Sequence, residues 1–362
     1  EVTGLMFRMP TGAPARWAIG HDQSEGDFNR YRGQALVKLT LRSGDAERVW
    51  LVVKGRRVPM TRLSADDLLE IRQAGLPSLN SPYQFVIEDG AKKVTLGAQG
   101  IGSDEPFVPK KDAIAAQPPK WAAGQVLYQV FADRFANGSK ANDPEGVVAW
   151  NSQPHYYNWF GGDVAGVRSK TSYLKGLGIG ALYFNPVFDG PSNHRYETTD
   201  YTKIDWRFGT NAEFSALTRE LKNQGIRTIL DGVFNHTSVD FHAFKSLRTE
   251  GEKSPFRDWF FVKSFPITGG RTPSYMAWNG YESMPKVNLD NPAARASMLS
   301  VLDHWSKNAE IAGWRLDVAN EVSMDFWRAF RRRAKSLDPS LWIIGENWGN
   351  GSSWLKGDQW DS

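Results

Sequence analysis

Cysteine is absent from this 362-residue sequence, which excludes disulfide bonds and thiol chemistry. The sequence also lacks any run of about 18 apolar residues, the length that a membrane-spanning helix requires. No N-terminal signal peptide is recognisable. We therefore expect a cytoplasmic protein, although secreted proteins without cysteine also exist. No glycine-rich loop follows a predicted strand in a phosphate-binding pattern, which disfavours a nucleotide-dependent enzyme.

The sequence also lacks a large excess of positive or negative charge. The 44 Lys and Arg residues nearly balance the 40 Asp and Glu residues, which leaves a net charge of +4. A nucleic-acid-binding surface needs clustered basic residues. The one tight basic run, Arg331–Arg333, falls in a helical pattern, where a solvated helix face is the simpler interpretation. We expect neither nucleic acid nor membrane as a partner.

Short alternating segments separated by turn residues make up most of the first 107 residues. Strands are predicted over 35–43, 48–55, 83–90 and 92–100, with Gly, Asp and Ser turns between them. Several short strands in succession are typical of a β-sandwich, which we predict for residues 1–107. The next segment, 108–121, contains three prolines and no hydrophobic periodicity. We predict a linker there.

From residue 122 onward the apolar residues form short continuous runs, at 126–131, 181–186, 228–233, 313–318 and 341–346. Such runs are typical of parallel strands that are buried on both faces. Helical patterns lie between them, and in the clearest one Thr210 and Glu213 form a capping box. Alternating strands and helices predict βαβ units around a parallel sheet, so residues 122–362 belong to the α/β class.

Polar residues gather at the carboxyl ends of these predicted strands: Asn185, Asp231, Asn235, His236, Arg315, Asp317 and Glu346. That edge of the sheet carries the active site in barrels and in doubly wound sheets. Arg315 and Asp317 are two residues apart and therefore share one face of their strand. A structural ion pair is one interpretation. Buried pairs stabilise little, however, so a functional pair is favoured.

Asp317 and Glu346 end two successive predicted strands, and adjacent strands lie about 4.8 Å apart. Their carboxyl groups are thus predicted to lie roughly 5 Å apart, the separation found in retaining glycoside hydrolases. We expect Asp317, beside Arg315, to stay ionised as the nucleophile. We expect Glu346, away from Arg315 and beside Trp348, to hold its proton as the acid. The alternative for Glu346 is an acid at a helix N-terminus.

Two further candidates, Asp231 and His236, lie at the end of the preceding predicted strand and just after it. His236 follows that strand and can donate a hydrogen bond to a ligand hydroxyl, although a histidine that is satisfied within its own loop is an equally simple interpretation. Asp231 ends the strand, and we predict that it is a structural hydrogen-bond acceptor rather than a catalytic group.

Six short segments together resemble the signature regions of the α-amylase superfamily of glycoside hydrolases: VLYQVFADRFANG (126–138), GIGALYFNPVF (178–188), DGVFNH (231–236), MPKVN (284–288), GWRLDVANE (313–321) and GENWG (345–349). The fourth segment and the N-terminal strands are most similar to the branch of cyclomaltodextrinase, neopullulanase and maltogenic amylase. The resemblance implies a (β/α)8 TIM barrel preceded by a starch-binding-type β-sandwich, with a small subdomain inserted at about 237–283. It also implies retaining hydrolysis of α-1,4 or α-1,6 glucosidic bonds in maltooligosaccharides or cyclodextrins, with some transglycosylation.

The same resemblance assigns roles to single residues. Asp317 would be the nucleophile, Glu346 the general acid/base and Asp231 a structural support. The substrate-binding residues that it implies are Arg315, His236, Tyr196, Asn235, Glu321 and Trp348. Among these, His236 would bind the sugar in the cleaved position and Tyr196 would stack under it.

Calcium is the one cofactor that the resemblance implies. It would be held by a loop of oxygen ligands: Asn137, Asn142, Asp143, Asp163 and the carbonyl of Gly161. Related loops often carry Asp where this chain has Ser139, which removes a carboxylate. An Asx-rich surface turn without metal is the alternative. No organic cofactor is expected.

Two features of the family pattern are missing from this sequence. Only five barrel strands are predicted, and no Asn-His-Asp motif, which supplies the third carboxylate of the family, follows Asp317. An open five-stranded sheet leaves an unpaired edge, so we predict that the chain is a fragment of a longer protein, or that the rest is disordered or cleaved. Two alternatives stay open: a non-catalytic or inactive glucan-binding fragment, and a transferase. The resemblance further implies homodimerisation through the N-terminal domain.

Overall fold

A computed structural model describes residues 14–23, 26–31, 34–65, 69–109, 118–349, 351, 354–355 and 357–362. The chain forms two compact units, Glu1–Gln117 with Asn350–Trp360 and Pro118–Gly349 with Asp361–Ser362. Most of the predicted linker falls on residues 110–117, which lie outside the described residues. No helix in the described ranges has the length and apolar character needed to cross a bilayer.

The first unit is a β-sandwich, which confirms the prediction. Its strands in the described residues are β1 (Phe28–Tyr31), β2 (Gln34–Arg42), β3 (Arg48–Val53), β4 (Arg56–Pro59), β5 (Thr61–Ala65), β6 (Leu69–Leu76), β7 (Tyr83–Asp89), β8 (Lys92–Gly97) and β9 (Gly100–Ile101). One antiparallel sheet has the order β1-β2-β6-β5 and the other the order β4-β3-β7-β8-β9. In β3, Val49, Leu51 and Val53 are buried and the residues between them are not. The period of two thus places one face of the strand in the core.

The second unit contains the predicted parallel sheet. Its strands are β10 (Leu127–Val130), β11 (Ala181–Phe184), β12 (Phe188–Asp189), β13 (Asp200–Ile204), β14 (Arg227–Gly232), β15 (Ile311–Leu316) and β16 (Trp342–Gly345). Strands β10, β11, β14, β15 and β16 pair in that order, and every pairing is parallel. Strands β12 and β13 form a separate antiparallel hairpin. The five-stranded sheet corresponds to the first five strands of a (β/α)8 barrel, as predicted.

Helices connect these strands. They are α1 (Val164–Ser169), α2 (Thr171–Gly176), α3 (Asn211–Asn223), α4 (His242–Glu250), α5 (Pro292–Asn308) and α6 (Met324–Leu337). Helix α3 begins with the predicted capping box, in which the Thr210 side chain accepts the N–H of Glu213 at 3.2 Å and the Glu213 side chain accepts the N–H of Thr210 at 2.8 Å. Its apolar face is buried on the sheet side, and Gly225 follows its end with a φ of +82°.

A long insertion lies between β14 and α5. Its core is aromatic, because Phe244 packs edge-to-face on Phe260 and Tyr275, with ring centroids 4.9 and 4.8 Å apart. An isolated β-bridge pairs His236 with Lys286, where the insertion returns to the sheet. This return brings the segment 284–288 next to the carboxyl end of β14, so two distant stretches of sequence meet at the edge where polar residues gather.

Candidate active site

One guanidinium joins three carboxylates at the carboxyl edge of the parallel sheet. Arg315 Nη1 donates to Asp317 Oδ1 at 2.7 Å and to both Asp231 oxygens at 3.1 Å, and Nη2 lies 2.8 Å from Glu346 Oε2. The register explains this convergence, because Asp231 is opposite Arg315 and Arg315 is opposite Ile344. The ends of β14, β15 and β16 are therefore level. The side chains that were predicted from three separate strand ends lie in one cluster.

Burial dominates the electrostatics of this cluster. It raises the pKa of Asp317 well above its usual range, and the charges of Asp231 and Glu346 act in the same direction, while Arg315 opposes them. Burial likewise raises the pKa of Asp231 to about 6, again against Arg315. Arg315 supplies one positive charge to two buried carboxylates, Asp231 and Asp317, and to the partly exposed carboxylate of Glu346. Arg315 lowers the pKa of Asp317, as expected, while burial and the neighbouring carboxylates raise it, so the ionised state of Asp317 stays a prediction.

Glu346 also departs from its predicted surroundings. It was expected to lie away from Arg315, yet Oε2 contacts that guanidinium and accepts the backbone N–H of Val318 at 2.8 Å. Trp348 is beside it as expected, and its indole N–H donates to Oε1 at 3.1 Å. Val318 has a φ of +45°, which is rare for a β-branched residue and is typical of functional sites. The strained turn aims its N–H at Glu346.

His236 is fully buried at the end of β14 and its ring stacks on Trp278, with centroids 5.6 Å apart. Burial lowers its pKa to about 3, and the charge of Lys286 adds to this effect, so the ring is neutral. Within the described structure, His236 Nε2 and Asn235 Oδ1 are buried without a hydrogen-bond partner. Such orphaned groups are costly unless a ligand or water satisfies them. A ligand hydroxyl would satisfy both.

Tyr196 belongs to a hydrogen-bonded chain that supports Asp231. Its hydroxyl donates to Asp231 Oδ2 at 3.2 Å and accepts from Asn185 Nδ2 at 2.9 Å. Tyr183 also donates to Asp231 Oδ2, and the guanidinium of Arg315 lies 5.7 Å from the centre of its ring. Sequence reasoning missed Tyr183. The available signal was its position two residues before Asn185, which places both side chains on the same face of the β11 segment.

Two predicted substrate-binding residues lie at the periphery of the cluster. Trp348 is 87% exposed and contacts the cluster through its hydrogen bond to Glu346. Glu321 is exposed and pairs with Lys286 at 3.1 Å rather than with the guanidinium. Because Lys286 is bridged to His236, Glu321 lies on the His236 side of the edge. Neither residue is held rigidly by burial.

The predicted calcium ligands converge only in part. Asn137 Nδ2 donates to Asp143 Oδ1 at 2.6 Å, and a Cβ at Gly161 would lie 2.4 to 2.5 Å from those same two atoms. Asn142 instead donates to a backbone carbonyl at 2.7 Å. Both carboxylate oxygens of Asp163 accept backbone N–H groups, from Gly138, Ser139 and Gly166. The described residues contain no cluster of three or more His, Cys, Asp or Glu side chains suited to a metal. The fit to calcium is therefore incomplete.

Comparison with known proteins agrees with this architecture. The family model described as alpha amylase, catalytic domain, matches residues 129–362. The chain is 44% identical over 290 residues to the maltogenic alpha-amylase of Bacillus acidopullulyticus, covering 77% of this chain and 50% of that protein. It is 37% identical over 351 residues to the cyclomaltodextrinase of Thermoanaerobacter pseudethanolicus, covering 90% of this chain and 61% of that one.

A solved cyclomaltodextrinase structure matches with a TM-score of 0.72 and 34% identity, over 95% of this chain and 63% of the other. The chain thus spans between half and two thirds of the length of these relatives. Both the sandwich and the parallel sheet fall within the matched part. The chain belongs to the α-amylase family.

Proposed function

We propose that this chain supplies the catalytic cluster of a retaining hydrolase that cleaves α-1,4 or α-1,6 glucosidic bonds in maltooligosaccharides or cyclodextrins. The observation that carries the proposal is the single guanidinium that holds the Asp317 and Glu346 carboxylates together at the sheet edge. Two carboxyl groups on adjacent strand ends suit a double displacement, in which one attacks the sugar and the other transfers protons.

In the first step, Asp317 attacks the anomeric carbon while the bond from that carbon to the leaving oxygen breaks. Arg315 holds Oδ1 of Asp317 and so leaves Oδ2 for the attack. Glu346 gives its proton to the leaving oxygen, so the shortened glucan departs as an alcohol. In the second step, Glu346 takes a proton from water, and the resulting hydroxide displaces Asp317 from the sugar.

The orphaned polar atoms of His236 and Asn235 would hold the hydroxyls of the sugar in the cleaved position. A neutral ring suits this role, because the lowered pKa of His236 keeps positive charge away from the developing oxocarbenium ion. Tyr196 would support the same sugar with its ring, while Asp231 orients Arg315. Glu321 and Trp348 would contact sugars farther out, where both are exposed.

Several relatives carry names that support this substrate class, including cyclomaltodextrinase and neopullulanase 2. A non-catalytic glucan-binding fragment is not favoured, because these relatives are named as hydrolases. Transglycosylation would follow when a sugar hydroxyl replaces water in the second step. We also propose a cytoplasmic location, in line with the intracellular maltogenic amylase of Bacillus subtilis, and a homodimer formed through the N-terminal unit.

The stereochemistry of the first product tests the proposal. Proton NMR of maltotriose hydrolysis, recorded before mutarotation, is expected to show new reducing ends in the α-configuration, because two displacements at one carbon restore its starting configuration. A product in the β-configuration would indicate a single displacement by water. Absence of any new reducing end from the protein that contains this chain would reject the hydrolase proposal altogether.

We also propose that a calcium ion binds weakly at Asn137, Asp143 and the carbonyl of Gly161. Because Asp163 is already engaged with backbone N–H groups, we expect affinity only in the range of about 10⁻⁴ to 10⁻³ M. EDTA should leave the Tm unchanged, whereas millimolar CaCl2 should raise it. Asp143→Ala should abolish the rise, and Glu145→Ala, two residues along the same loop, should keep it. A fall in Tm with EDTA would show a tightly bound ion instead.

A further inference from the structure

Two consecutive tyrosines outside the catalytic cluster are among the most exposed aromatic residues of the described chain. Tyr156 and Tyr157 are each 85% exposed, and of the described large apolar side chains only Trp348 exceeds them. Neighbouring exposed aromatic side chains form a small apolar patch, a feature that often marks a binding site. Their ring centroids lie 6.5 Å apart with the planes inclined by 48°, so they do not stack on each other. Both rings remain open to a ligand.

The backbone beneath these rings is fixed although the rings are exposed. Arg134 Nη2 donates to the carbonyls of His155 and Asn158, both at 2.9 Å. Asn158 closes the loop on itself, because its side chain accepts the N–H of His155 and donates to the carbonyl of Gln153, both at 3.0 Å. A mobile loop would make few such bonds. The loop is therefore ordered before a ligand binds, so binding loses little backbone conformational entropy.

The loop is tied directly to the segment that carries Tyr196. The buried side chain of Asn193 donates to the carbonyls of Tyr156 and Asn158, at 2.8 and 2.9 Å. Tyr196 lies three residues farther on and donates to Asp231. Three residues of chain span at most about 10 Å, so the anchor of the loop at Asn193 lies close along the chain to a residue of the catalytic cluster.

We propose that Tyr156 and Tyr157 form an aromatic platform for an outer glucose residue of a bound α-glucan, remote from the bond that is cleaved. The inference rests on the proposed function, whose site it extends. The apolar C–H face of a pyranose packs on aromatic faces, while its hydroxyls stay in water. The guanidinium of Arg134 is engaged with the carbonyls of the loop and with Asp133, which suits a neutral ligand.

The platform should matter for long substrates and little for short ones. In the protein that contains this chain, we expect Tyr156→Ala/Tyr157→Ala to lower the ratio of kcat/KM for maltoheptaose to that for maltotriose about tenfold, mainly through KM. Tyr156→Phe/Tyr157→Phe keeps both rings and should preserve the ratio. Tyr173→Ala, on the exposed surface of α2, is the matched control and should also preserve it. An unchanged ratio in the double alanine variant overturns the inference.

A binding measurement separates this inference from the proposed function. Calorimetric titration of maltoheptaose into an Asp317→Asn background needs no turnover. In this background, Tyr156→Ala/Tyr157→Ala should raise the Kd for maltoheptaose about tenfold, and Tyr156→Phe/Tyr157→Phe should leave it unchanged. If the unaltered protein releases no sugar yet this difference appears, the hydrolase proposal fails and the platform stands. If the alanine changes alter only the elution volume in size-exclusion chromatography, the rings pack against a second copy and the inference is overturned.

Discussion

Replacing Asp317 by Asn is expected to lower kcat on maltotriose by at least about ten-thousandfold while the protein stays folded. The amide has the volume of the carboxylate but cannot form the covalent bond to the anomeric carbon. It also removes one of the three carboxylates that share Arg315, so the variant should not lose stability. Reducing-sugar release and thermal unfolding, measured on the same samples, check both expectations.

The matched control for this change is Asp325→Asn. Asp325 lies in the first turn of α6, is largely exposed and pairs with Arg328 on the same helix, so its loss should leave kcat unchanged. Turnover close to that of the unaltered protein in Asp317→Asn would remove Asp317 from the role of nucleophile. A collapse of both variants would instead indicate a general sensitivity to lost carboxylates, and would equally contradict the assignment.

Replacing Arg315 by Met is expected to have the largest effect on stability, a loss of about 3 to 5 kcal/mol in the free energy of unfolding near pH 8. The change leaves Asp231, Asp317 and Glu346 close together without their shared cation. Activity should fall as well, because nothing then orients Asp317. Arg333→Met is the control: its exposed pair with Asp303 should contribute less than about 1 kcal/mol.

The loss in the free energy of unfolding caused by Arg315→Met should depend on pH, and Asp231 sets the direction of this dependence. Its folded-state pKa, raised to about 6 by burial, exceeds the ordinary value of 3.8. Such a group contributes stability that is full below about pH 3.8 and is lost as the pH rises through about 6. Without Arg315 the carboxyl groups hold protons more tightly still. Urea unfolding should therefore show a smaller deficit near pH 5 than near pH 8.

A second change tests the same cause. Adding Asp231→Asn to Arg315→Met removes one of the stranded carboxylates and should restore part of the lost stability near pH 8. No recovery, together with a deficit that is equal at both pH values, would mean that Arg315 stabilises by packing rather than by charge.

Local sequence rules predicted most of the parallel sheet and its connections. Short apolar runs marked all five strands, because the inner strands of a parallel sheet are covered on both faces and are therefore rich in apolar residues. The capping box at Thr210 marked the start of α3 within one residue. Spacing also placed Asp231, Arg315, Asp317 and Glu346 at one edge, since parallel strands of similar length end together.

The environment of each charged group was less predictable. Desolvation of Asp317 depends on every residue packed around it, and no window of sequence contains that information. The contact between Glu346 and Arg315 follows from the register of β15 on β16, where a shift of one residue would turn the side chains to the other face. Tyr183 was not predicted as a site residue, because a tyrosine inside an apolar run usually belongs to the hydrophobic core.

The sequence by itself determined the order of strands and helices, the sandwich that precedes the barrel strands, and the residue types that converge at the sheet edge. These depend on periodicity and on neighbours along the chain, which a single sequence records. Only the tertiary structure decided that one guanidinium contacts three carboxylates and that His236 is buried on Trp278 with an unpartnered nitrogen. It also decided that Asn193 anchors the loop that carries two exposed tyrosines. Burial, register and charge coupling arise from contacts between distant segments, and they exist only once the chain has folded.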